Sequence, residues 1–533
     1  MSELIYQPYN KSEIELRNDF VIRHFEFQKL MNSIRADQNQ GSAQHILIQG
    51  LRGMGKTTLL LRVYYEVIQK FRESGLVPVI LTERQYGIRT LNELWTQIIW
   101  SLEEHEPGYS GLRGQIRDTE KNDEKYYDVL KAGLKRNKHR LLLLIDDFGT
   151  MLNSFSRKEH QRLREILITS TNIQIIGSSG VVLQSIFDYR APFFEFFQLL
   201  QLKPLNQAEA INLVTALCIK NASDGALRVI QSRPGLLESI RILSGGSPRI
   251  MVVLYNLLDS SDNDTGLEYF QKLMDYLTPQ YRNQMDELPA KQQKIVHALA
   301  MNWDGMRVSD MEGDIQSESK SISAQLNNLV KKGMVLAERS TGKNNYYQLN
   351  DRLFNIWYLM RSMSAQGQKK VGWLFQFLVY WYPSGIRDFD IRAVKEASRH
   401  YRKPTKEAGA RHSSSSKALN GIKHLLLIEE PEKATARLET LMPELLEDDD
   451  STLQISELLA FAVGRGLRHY VLKLFQKEEY QLKDRFRVLY YALLKIVDSE
   501  ESAEFIKMGK ELSEPVEAMV DYITQIRNSS HAH

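Results

Sequence analysis

The stretch Gly50-Leu51-Arg52-Gly53-Met54-Gly55-Lys56-Thr57-Thr58 decides the fold of this 533-residue chain. An apolar run at residues 45–49 precedes it and indicates a short buried strand, and residues 59–65 indicate a helix directly after it. The spacing fits the pattern G-x-x-x-x-G-K-[ST]. In that pattern the glycines let backbone N–H groups converge on phosphates, and the positive end of the helix dipole points to the same place. The sequence therefore predicts a strand, a loop and a helix that bind a nucleoside triphosphate.

Several residues of this loop have an expected role. We expect Lys56 to reach the β- and γ-phosphates and the Thr57 hydroxyl to ligate Mg²⁺. The other loop residues predicted to line the nucleotide are Gly50, Gly53, Met54, Gly55 and Thr58. ATP and Mg²⁺ are the predicted ligands. The alternative is a chance match in a surface loop, which the strand-to-helix setting disfavours.

A second run, Leu-Leu-Leu-Leu-Ile-Asp-Asp at residues 141–147, is a continuous apolar strand that ends in two acids. This is expected of a central parallel strand whose carboxyl end faces a nucleotide. We expect Asp146 to hold the Mg²⁺ shell and Asp147 to orient and partly deprotonate the attacking water. Acids at the end of a buried strand also begin ordinary turns, but the upstream loop favours the functional interpretation.

Ser178 and Arg190 are two further candidates for the chemistry. Ser178, with Ser179 next to it, ends a strand predicted at residues 173–177, where a small hydroxyl can contact the γ-phosphate or the attacking water. Arg190 is a candidate arginine finger for the nucleotide of a neighbouring subunit. The alternatives are an ordinary strand-ending turn and a solvated or structural arginine.

The turn Gly-Gly-Ser-Pro-Arg at residues 245–249 opens a predicted helix. In this position Pro248 can lie on the base and Arg249 can point toward the phosphates, while a plain turn between helices is the alternative. Residues 1–44, ahead of the loop, can pack on the adenine or merely cover the edge of the sheet. The helix predicted at residues 91–102 carries Trp95 and Trp100, which we expect in the core.

Composition excludes some classes of protein. The formal net charge of +3 gives no global reason to expect nucleic acid or membrane binding, and the length predicts several domains. The single cysteine, Cys218, excludes intramolecular disulfides and cysteine zinc sites, and its apolar neighbours predict a core position. Residues 1–4 do not start a signal peptide, and the longest aromatic and apolar run, 373–382, is too short to span a bilayer. We expect a cytoplasmic protein with no membrane contact.

The middle of the chain predicts three helices followed by a hairpin, which is the order of a winged helix. Ile322, Leu326 and Leu329 fall on one face of the third helix, which predicts its inner face. In the DNA-binding interpretation the third helix enters a major groove and the wing contacts phosphate. The residues then expected to contact DNA are Ser319, Lys320, Ser323, Gln325, Asn327, Arg339 and Lys343. A protein-facing surface, or a clamp on the nucleotide domain, is the alternative.

Beyond residue 371 the pattern predicts mostly helices, similar to a helical-repeat sensor or docking module for a protein partner. A basic run that ends in four serines, at about 392–417, predicts a mobile linker. The expected domains are a P-loop ATPase core at 1–205, a helical lid at 206–285, a winged helix at 286–360 and a helical C-terminal domain at 361–533.

Taken together, residues 50–58, 141–147, 175–179, 190–192 and 245–249 resemble the archaeal-type ATPases of the STAND and AAA-like P-loop division, relatives of the origin-recognition initiators. Residues 347–358 are similar to the segment that closes the winged helix in these ATPases. The resemblance implies an α/β P-loop NTPase fold with a RecA-like parallel sheet of the additional-strand class, a helical lid and a winged helix, and the helical pattern beyond residue 371 adds an all-α C-terminal region. It also implies ATP hydrolysis used as a switch.

Two departures from the family pattern affect the expected activity. Residues 23–26 are Arg-His-Phe-Glu where the family usually has a string like Arg-Glu-x-Glu, and Asp147 stands where many members carry glutamate. We therefore expect an ATPase with slow hydrolysis. Two rivals stay open: an ATPase that forms homo-oligomers on double-stranded DNA as a loader or motor, with Arg190 acting in trans, and a scaffold whose bound nucleotide needs no hydrolysis.

Overall fold

The computed structural model describes residues 8–40, 44–82, 88–117, 123–180, 190–260, 266–339, 345–361, 365–381, 419, 422–423, 425–426, 431–447, 452–497 and 503–529. The chain divides into two compact units. The first is Met1–Leu217 with Ser247–Val252, and the second is Cys218–Gly246 with Val253–His533. The predicted linker at 392–417 lies outside the described residues.

A five-stranded sheet is the centre of the first unit. Its strands are β1 (Ile46–Gln49), β2 (Leu76–Leu81), β3 (Arg140–Ile145), β4 (Ile173–Ser179) and β5 (Gln198–Gln201). The spatial order is β2-β3-β4-β1-β5, and every neighbouring pair is parallel. β4 thus lies between the strand that enters the glycine-rich loop and the strand that ends in the two acids. The predicted α/β fold with an additional strand is confirmed.

The sheet register places the polar ends of three strands at one edge. Gln49 of β1 is level with Ser179 of β4, and Ile145 of β3 is level with Gly177 of β4. Because the strands are parallel, the residue after Ile145, Asp146, lies beside Ser178. The apolar run of β3 is fully buried, as expected of a strand covered on both faces.

Helices cover the sheet of the first unit. They are α1 (Glu13–Asp19), α2 (His24–Gln40), α3 (Lys56–Phe71), α4 (Leu91–His105), α5 (Leu112–Arg117), α6 (Asp123–Asn137), α7 (Phe148–Ser154), α8 (Arg157–Thr169) and α9 (Gln207–Lys220), the last of which continues into the second unit. The sequence predicted two core tryptophans on α4. Trp95 is fully buried, but Trp100 is 44% exposed, so that prediction was wrong for Trp100. The two tryptophans are five positions apart, so their rings cannot share one helix face.

The described part of the second unit is helical apart from one hairpin. Its elements are α10 (Asp224–Ser232), α11 (Pro234–Leu243), α12 (Pro248–Ser260, whose first residues belong to the first unit), α13 (Gly266–Asp286), α14 (Ala290–Met301), α15 (Val308–Ile315), α16 (Ser319–Lys331), β6 (Val335–Arg339), β7 (Asn345–Leu349), α17 (Arg352–Arg361), α18 (Ala365–Trp381), α19 (Pro431–Glu447), α20 (Thr452–Ala462), α21 (Arg468–Phe475), α22 (Leu482–Arg485), α23 (Arg487–Val497), α24 (Ala503–Ile506) and α25 (Ser513–Ser529). Cys218 is buried, as predicted. Within the described ranges, every helix is too short or too polar to cross a membrane.

Helices α14, α15 and α16 lead into the antiparallel hairpin β6-β7, where Val335 pairs with Leu349. This is the order of elements predicted for residues 286–360. Ile322, Leu326 and Leu329 of α16 are buried, which confirms the predicted inner face of that helix. Lys343, predicted on the wing, lies outside the described residues.

Candidate nucleotide site

The loop between β1 and α3 depends on two glycines. Gly53 has φ 86° and Gly55 has φ 90°, a left-handed conformation in which a β-carbon is strained. Gly55 directly precedes α3, so the first N–H groups of that helix follow the turn. The Gly50 N–H donates to the Ser179 carbonyl oxygen at 3.2 Å, which ties the loop to the end of β4.

The side chain of Lys56 lies along the loop. Its Nζ donates to the carbonyl oxygens of Gly50 at 2.7 Å and Leu51 at 2.9 Å. A β-carbon at Gly180 would lie 3.9 Å from the same Nζ. The ammonium group therefore lies between the loop and the chain leaving β4, at the mouth of the predicted phosphate cradle.

Asp146 is the centre of a cluster of polar groups at this edge of the sheet. Thr57 Oγ1 donates to its Oδ2 at 2.6 Å, although the two residues are 89 positions apart in the sequence. Ser178 Oγ donates to its Oδ1 at 2.6 Å, and the Asp147 N–H donates to the same oxygen at 3.2 Å. Asp146 is only 9% exposed. The predicted metal ligands Thr57 and Asp146 are thus adjacent.

The backbone leaves β3 through a sharp turn at Asp147, which has φ 54° and ψ 36° and precedes α7. Its N–H also donates to Ser178 Oγ at 3.0 Å. The next residue, Phe148, is fully buried against Gly177, where a β-carbon would lie 2.5 Å from the ring. Because Gly177 has no β-carbon, α7 packs closely on β4, and this packing fixes the position of Asp147, the residue before Phe148.

Sequence reasoning missed Tyr9. The hydroxyl of Tyr9 donates to Asp146 Oδ2 at 2.7 Å, across a separation of 137 residues. Tyr9 is in a short helical turn, Pro8–Asn10, in the segment that was expected to pack on the adenine or cover the sheet edge. The local sequence there carries no pattern that indicates a contact with a metal-binding acid, so only the fold reveals it.

The turn before α12 also contacts the loop. The Arg249 N–H donates to the Gly53 carbonyl oxygen at 3.2 Å. A β-carbon at Gly53 would lie 2.8 Å from Ser247 Oγ and 3.2 Å from the Arg249 β-carbon. Pro248 is buried and Arg249 half-buried. These residues belong to the first unit, so the predicted base and phosphate contacts lie beside the loop.

Arg190 has different neighbours. It is exposed and lines a surface groove with residues of α8, among them Arg157 and Ile168. Arg157 donates to the Arg190 carbonyl oxygen at 3.5 Å. The structure therefore brings together Lys56, Thr57, Asp146, Asp147 and Ser178, and places Arg190 in this groove.

The donor groups at Asp146 suit a hard cation. Magnesium prefers oxygen ligands and is usually held by one or two carboxylates together with phosphates and waters. Thr57 supplies a hydroxyl and Asp146 a carboxylate 2.6 Å from it. Across the described residues, no group of three or more His, Cys, Asp or Glu could hold a metal ion. A hydroxyl and a carboxylate at this distance fit a magnesium ion that is held jointly with nucleotide oxygens.

No protein-family model matches the chain. No curated protein matches it either. Similar solved structures include the ORC1 protein of Aeropyrum pernix in complex with DNA, at 13% identity and a TM-score of 0.43, covering 66% of this chain and 97% of that one. They also include the Cdc6p protein of Pyrobaculum aerophilum, at 12% identity and a TM-score of 0.34, covering 67% and 93%.

The RuvB Holliday junction branch migration motor of Thermotoga maritima is also similar, at 16% identity and a TM-score of 0.33, covering 61% of this chain and 92% of that one. Relatives of the origin-recognition initiators, the group that the sequence resembles, are thus among the similar structures.

Proposed function

We propose that this protein binds and hydrolyses ATP with Mg²⁺ and works as a molecular switch that couples its nucleotide state to the α14–β7 segment and the C-terminal helices. One observation carries the proposal. Thr57, from the first turn of the helix after the glycine-rich loop, donates to Asp146, the first acid after the central strand, at 2.6 Å. A loop that cradles phosphates and an acid that holds their metal thus form one site.

In this proposal the loop residues bind and orient the nucleotide. N–H groups around Gly53 and Gly55 and the start of α3 face the phosphates, while Lys56 leaves the loop carbonyls and contacts the β- and γ-phosphates. Thr57 and Asp146 would hold Mg²⁺. When bound, this ion neutralises charge that develops on the phosphate oxygens.

Asp147 and Ser178 serve the attacking water. Asp147 follows Asp146 in the left-handed turn at the end of β3, and in this proposal its carboxylate orients the water and accepts its proton. Ser178 is fully buried and holds both the Asp146 carboxylate and the Asp147 N–H. It acts by fixing the relative position of the two acids. Arg190 serves as an arginine finger only if a second copy is present.

The switch needs a segment that responds to the nucleotide. The hydrogen bond from the Arg249 N–H to the Gly53 carbonyl oxygen, at 3.2 Å, joins the loop to the start of α12. A change in the loop on hydrolysis therefore shifts Pro248 and Arg249. We propose the domain boundaries given above, with 206–285 as the lid that carries this movement to the winged helix at 286–360.

The rival DNA-binding function has one supporting observation. Ser319, Lys320 and Asn327 are exposed on α16, as a helix that enters a groove requires. Gln325 is half-buried and its Oε1 accepts a hydrogen bond from Gln292 at 3.0 Å, so it supports the fold of the segment instead of reading bases. Among the α16 residues predicted to contact DNA, Lys320 is the one cation, and for this reason we favour a protein-facing role.

Hydrolysis by the wild type and by Asp147→Asn, with and without duplex DNA, tests the proposal. Asparagine tolerates the left-handed conformation of this position, so the variant keeps the turn and loses only the base. We expect slow wild-type turnover, a large loss in the variant and no effect of DNA. Light scattering in ADP and in ATP gives the mass of the protein in the same buffers.

Other outcomes select a rival. A rate raised by DNA, with assembly in ATP and a requirement for Arg190, would establish the loader or motor. Retained cellular function in Asp147→Asn would establish the scaffold. Absence of hydrolysis by the wild type under all of these conditions contradicts the ATPase proposal.

A further inference from the structure

A strap of chain formed by residues 8–19 lies on the helix that follows the glycine-rich loop. Arg17 donates to Gln69 Oε1 at 2.7 Å and forms an ion pair with Glu66 at 3.6 Å, and both partners belong to α3. Glu66 is only 4% exposed, so the pair is largely desolvated at its acidic end. A capping box between Ser12 and Glu15 begins α1 within the strap.

The strap ends at the proposed metal site. Its residue Tyr9 donates its hydroxyl to Asp146 Oδ2 at 2.7 Å. This is the same oxygen that accepts from Thr57 Oγ1. Among the described residues, Asp146 is the one carboxylate assigned to the metal. It is therefore hydrogen-bonded to a segment that lies outside the sheet and the glycine-rich loop.

The carboxylate of Asp146 has its hydrogen-bonding capacity filled. Tyr9 and Thr57 donate to Oδ2, and Ser178 and the Asp147 N–H donate to Oδ1. An ionised carboxylate offers about four lone-pair positions. Direct coordination of a metal by this carboxylate therefore requires that one of the four donors leaves.

The position of each donor decides which one leaves. Ser178 is fully buried in β4, and the Asp147 N–H is fixed by the backbone turn after β3. Thr57 is needed beside the metal as a second ligand. Tyr9 is in a three-residue helical turn, Pro8–Asn10, that belongs to the strap and not to the sheet or the glycine-rich loop. Its release requires the least rearrangement.

We infer that the Tyr9 hydroxyl competes with Mg²⁺ for Asp146 Oδ2, so that release of the strap tip and binding of the magnesium–nucleotide complex are coupled. This inference rests on the proposed nucleotide function. Because coupling is reciprocal, anything that holds the strap in place weakens metal binding, and bound metal and nucleotide loosen the strap. The strap is thereby a built-in restraint on loading.

Titration of Mg²⁺ into the full-length protein with a fluorescent ATP analogue tests the inference. We expect Tyr9→Phe, which keeps the ring and removes only the hydroxyl, to lower the Mg²⁺ concentration at half-saturation by about tenfold, since a hydrogen bond to a charged group is lost from the competing state. For each variant, the affinity for the fluorescent ATP analogue in EDTA is the metal-free reference. Tyr65→Phe on α3 is the matched control and leaves the Mg²⁺ requirement unchanged.

A second readout follows the strap itself. Hydrogen exchange of the amides in residues 8–19 of the wild type is expected to rise when Mg²⁺ and nucleotide are added together, and to stay constant with nucleotide in EDTA. If Tyr9 merely supported the fold, Tyr9→Phe would weaken binding of the magnesium–nucleotide complex and would raise the Mg²⁺ concentration at half-saturation.

The outcomes separate this inference from the function on which it rests. If the wild type binds nucleotide and Tyr9→Phe leaves the Mg²⁺ requirement unchanged or raises it, the inference is overturned and the nucleotide site stands. If the wild type binds no nucleotide, with or without Mg²⁺, and Lys56→Ala behaves identically, the proposed function fails and the inference fails with it.

Discussion

Two aspartates, one in each unit, sit in polar clusters of opposite kind. All the hydrogen bonds described for the Asp146 carboxylate come from neutral groups: the hydroxyls of Tyr9, Thr57 and Ser178 and the backbone N–H of Asp147. Asp304, in the second unit, is surrounded by cations. It pairs with Arg487 and with Lys483 at 3.2 Å, and it accepts from the Tyr491 hydroxyl at 2.8 Å.

The two clusters show how surroundings decide what a buried carboxylate does. Burial would raise the pKa of Asp304, but Arg487 and Lys483 hold it below its usual value. Its charge is compensated within the protein, and the cluster stabilises the fold. The donors to Asp146 are neutral and bring no positive charge to cancel that of a carboxylate, which leaves the site open to an added cation.

A neighbouring group extends the second cluster. Trp303 Nε1 donates to Glu511 Oε1 at 3.0 Å, and Arg352 forms an ion pair with the same oxygen at 3.0 Å. The Arg352 guanidinium also lies over the Trp303 ring, 4.8 Å from its centroid. The α14–β7 segment and the C-terminal helices are therefore joined by buried charged contacts within the second unit.

The largest effect is expected from Asp304→Asn. The substitution removes the acid that pairs with both Arg487 and Lys483 and leaves the buried Arg487 with its ion pair to Asp484 at 3.1 Å, so we expect a cost of up to about 3–5 kcal/mol in the free energy of unfolding. Urea denaturation measures it. The matched variant Asp146→Asn loses only hydrogen bonds that an amide can largely replace, and we expect a change of less than about 1 kcal/mol. Equal losses in the two variants would abolish the distinction between the clusters.

Acid should affect the two units at different pH. His45 is buried, with its Nδ1 accepting from the Ile175 N–H at 3.1 Å and its Nε2 at 3.3 Å from the Leu167 carbonyl oxygen. Burial lowers its pKa to about 4. The unfolded chain takes up this proton first, so stability is complete above pH ~6.5 and falls by about 3 kcal/mol as the pH drops to ~4.

The lowered pKa of Asp304 gives the second unit a different dependence. Its stabilisation is present above the unfolded pKa of about 3.9 and is lost only as the pH falls below that value. The free energy of unfolding, measured between pH 7 and 4, should therefore lose its pH dependence in His45→Gln. It should keep that dependence in His105→Gln, which replaces an exposed histidine on α4. A pH dependence that survives His45→Gln would have to come from other titratable groups.

The next effect concerns chemistry alone. Asp146→Asn should lower ATP turnover by about 100-fold or more, because a neutral amide is a poor ligand for a hard cation. Turnover is measured by phosphate release at saturating nucleotide. Asp304→Asn, assayed where it stays folded, should retain the rate within about twofold. A normal rate in Asp146→Asn would remove this residue from the metal site.

The smallest effect is expected at Ser178. Ser178→Ala removes one hydroxyl that bonds both acids, which should cost about 1 kcal/mol in stability and lower turnover about tenfold. Ser179→Ala is the matched control, since its described role in the loop is the backbone carbonyl that accepts from Gly50. Equal losses of stability and turnover in Ser178→Ala and Ser179→Ala would contradict the proposed role of Ser178 in positioning the two acids.

The sequence predicted the parts of this molecule that are encoded locally. The glycines at fixed spacing before Lys56 form one short stretch of sequence, and the apolar strand that ends in Asp146 forms another. Each stretch can be recognised from the sequence alone, because the residues that it requires are close together in the chain. The buried face of α16 follows from its helical period in the same way. The roles assigned to Ser178, Arg190 and Arg249 stay predictions, although their positions are now described.

The remaining features depend on contacts between distant residues. Tyr9 meets Asp146 across 137 residues, and Arg487 meets Asp304 across 183. Neither pair has a spacing that a local pattern could reveal, because the contact exists only after the sheet and the helices have packed. Trp100 was misplaced for a related reason, since an apolar residue on an amphipathic helix can lie on either face.

The most direct test of the account is the thermal unfolding of the wild type, Lys56→Ala and Asp146→Asn with ATP in Mg²⁺ or in EDTA. Ligand at about 100 times its Kd stabilises the folded state by about 2.7 kcal/mol. We predict a Tm increase of several degrees in the wild type with Mg²⁺, no increase in Lys56→Ala, and an increase in Asp146→Asn that no longer depends on Mg²⁺. An unchanged wild-type Tm, or an equal increase in Lys56→Ala, would contradict a magnesium–nucleotide site at this edge of the sheet.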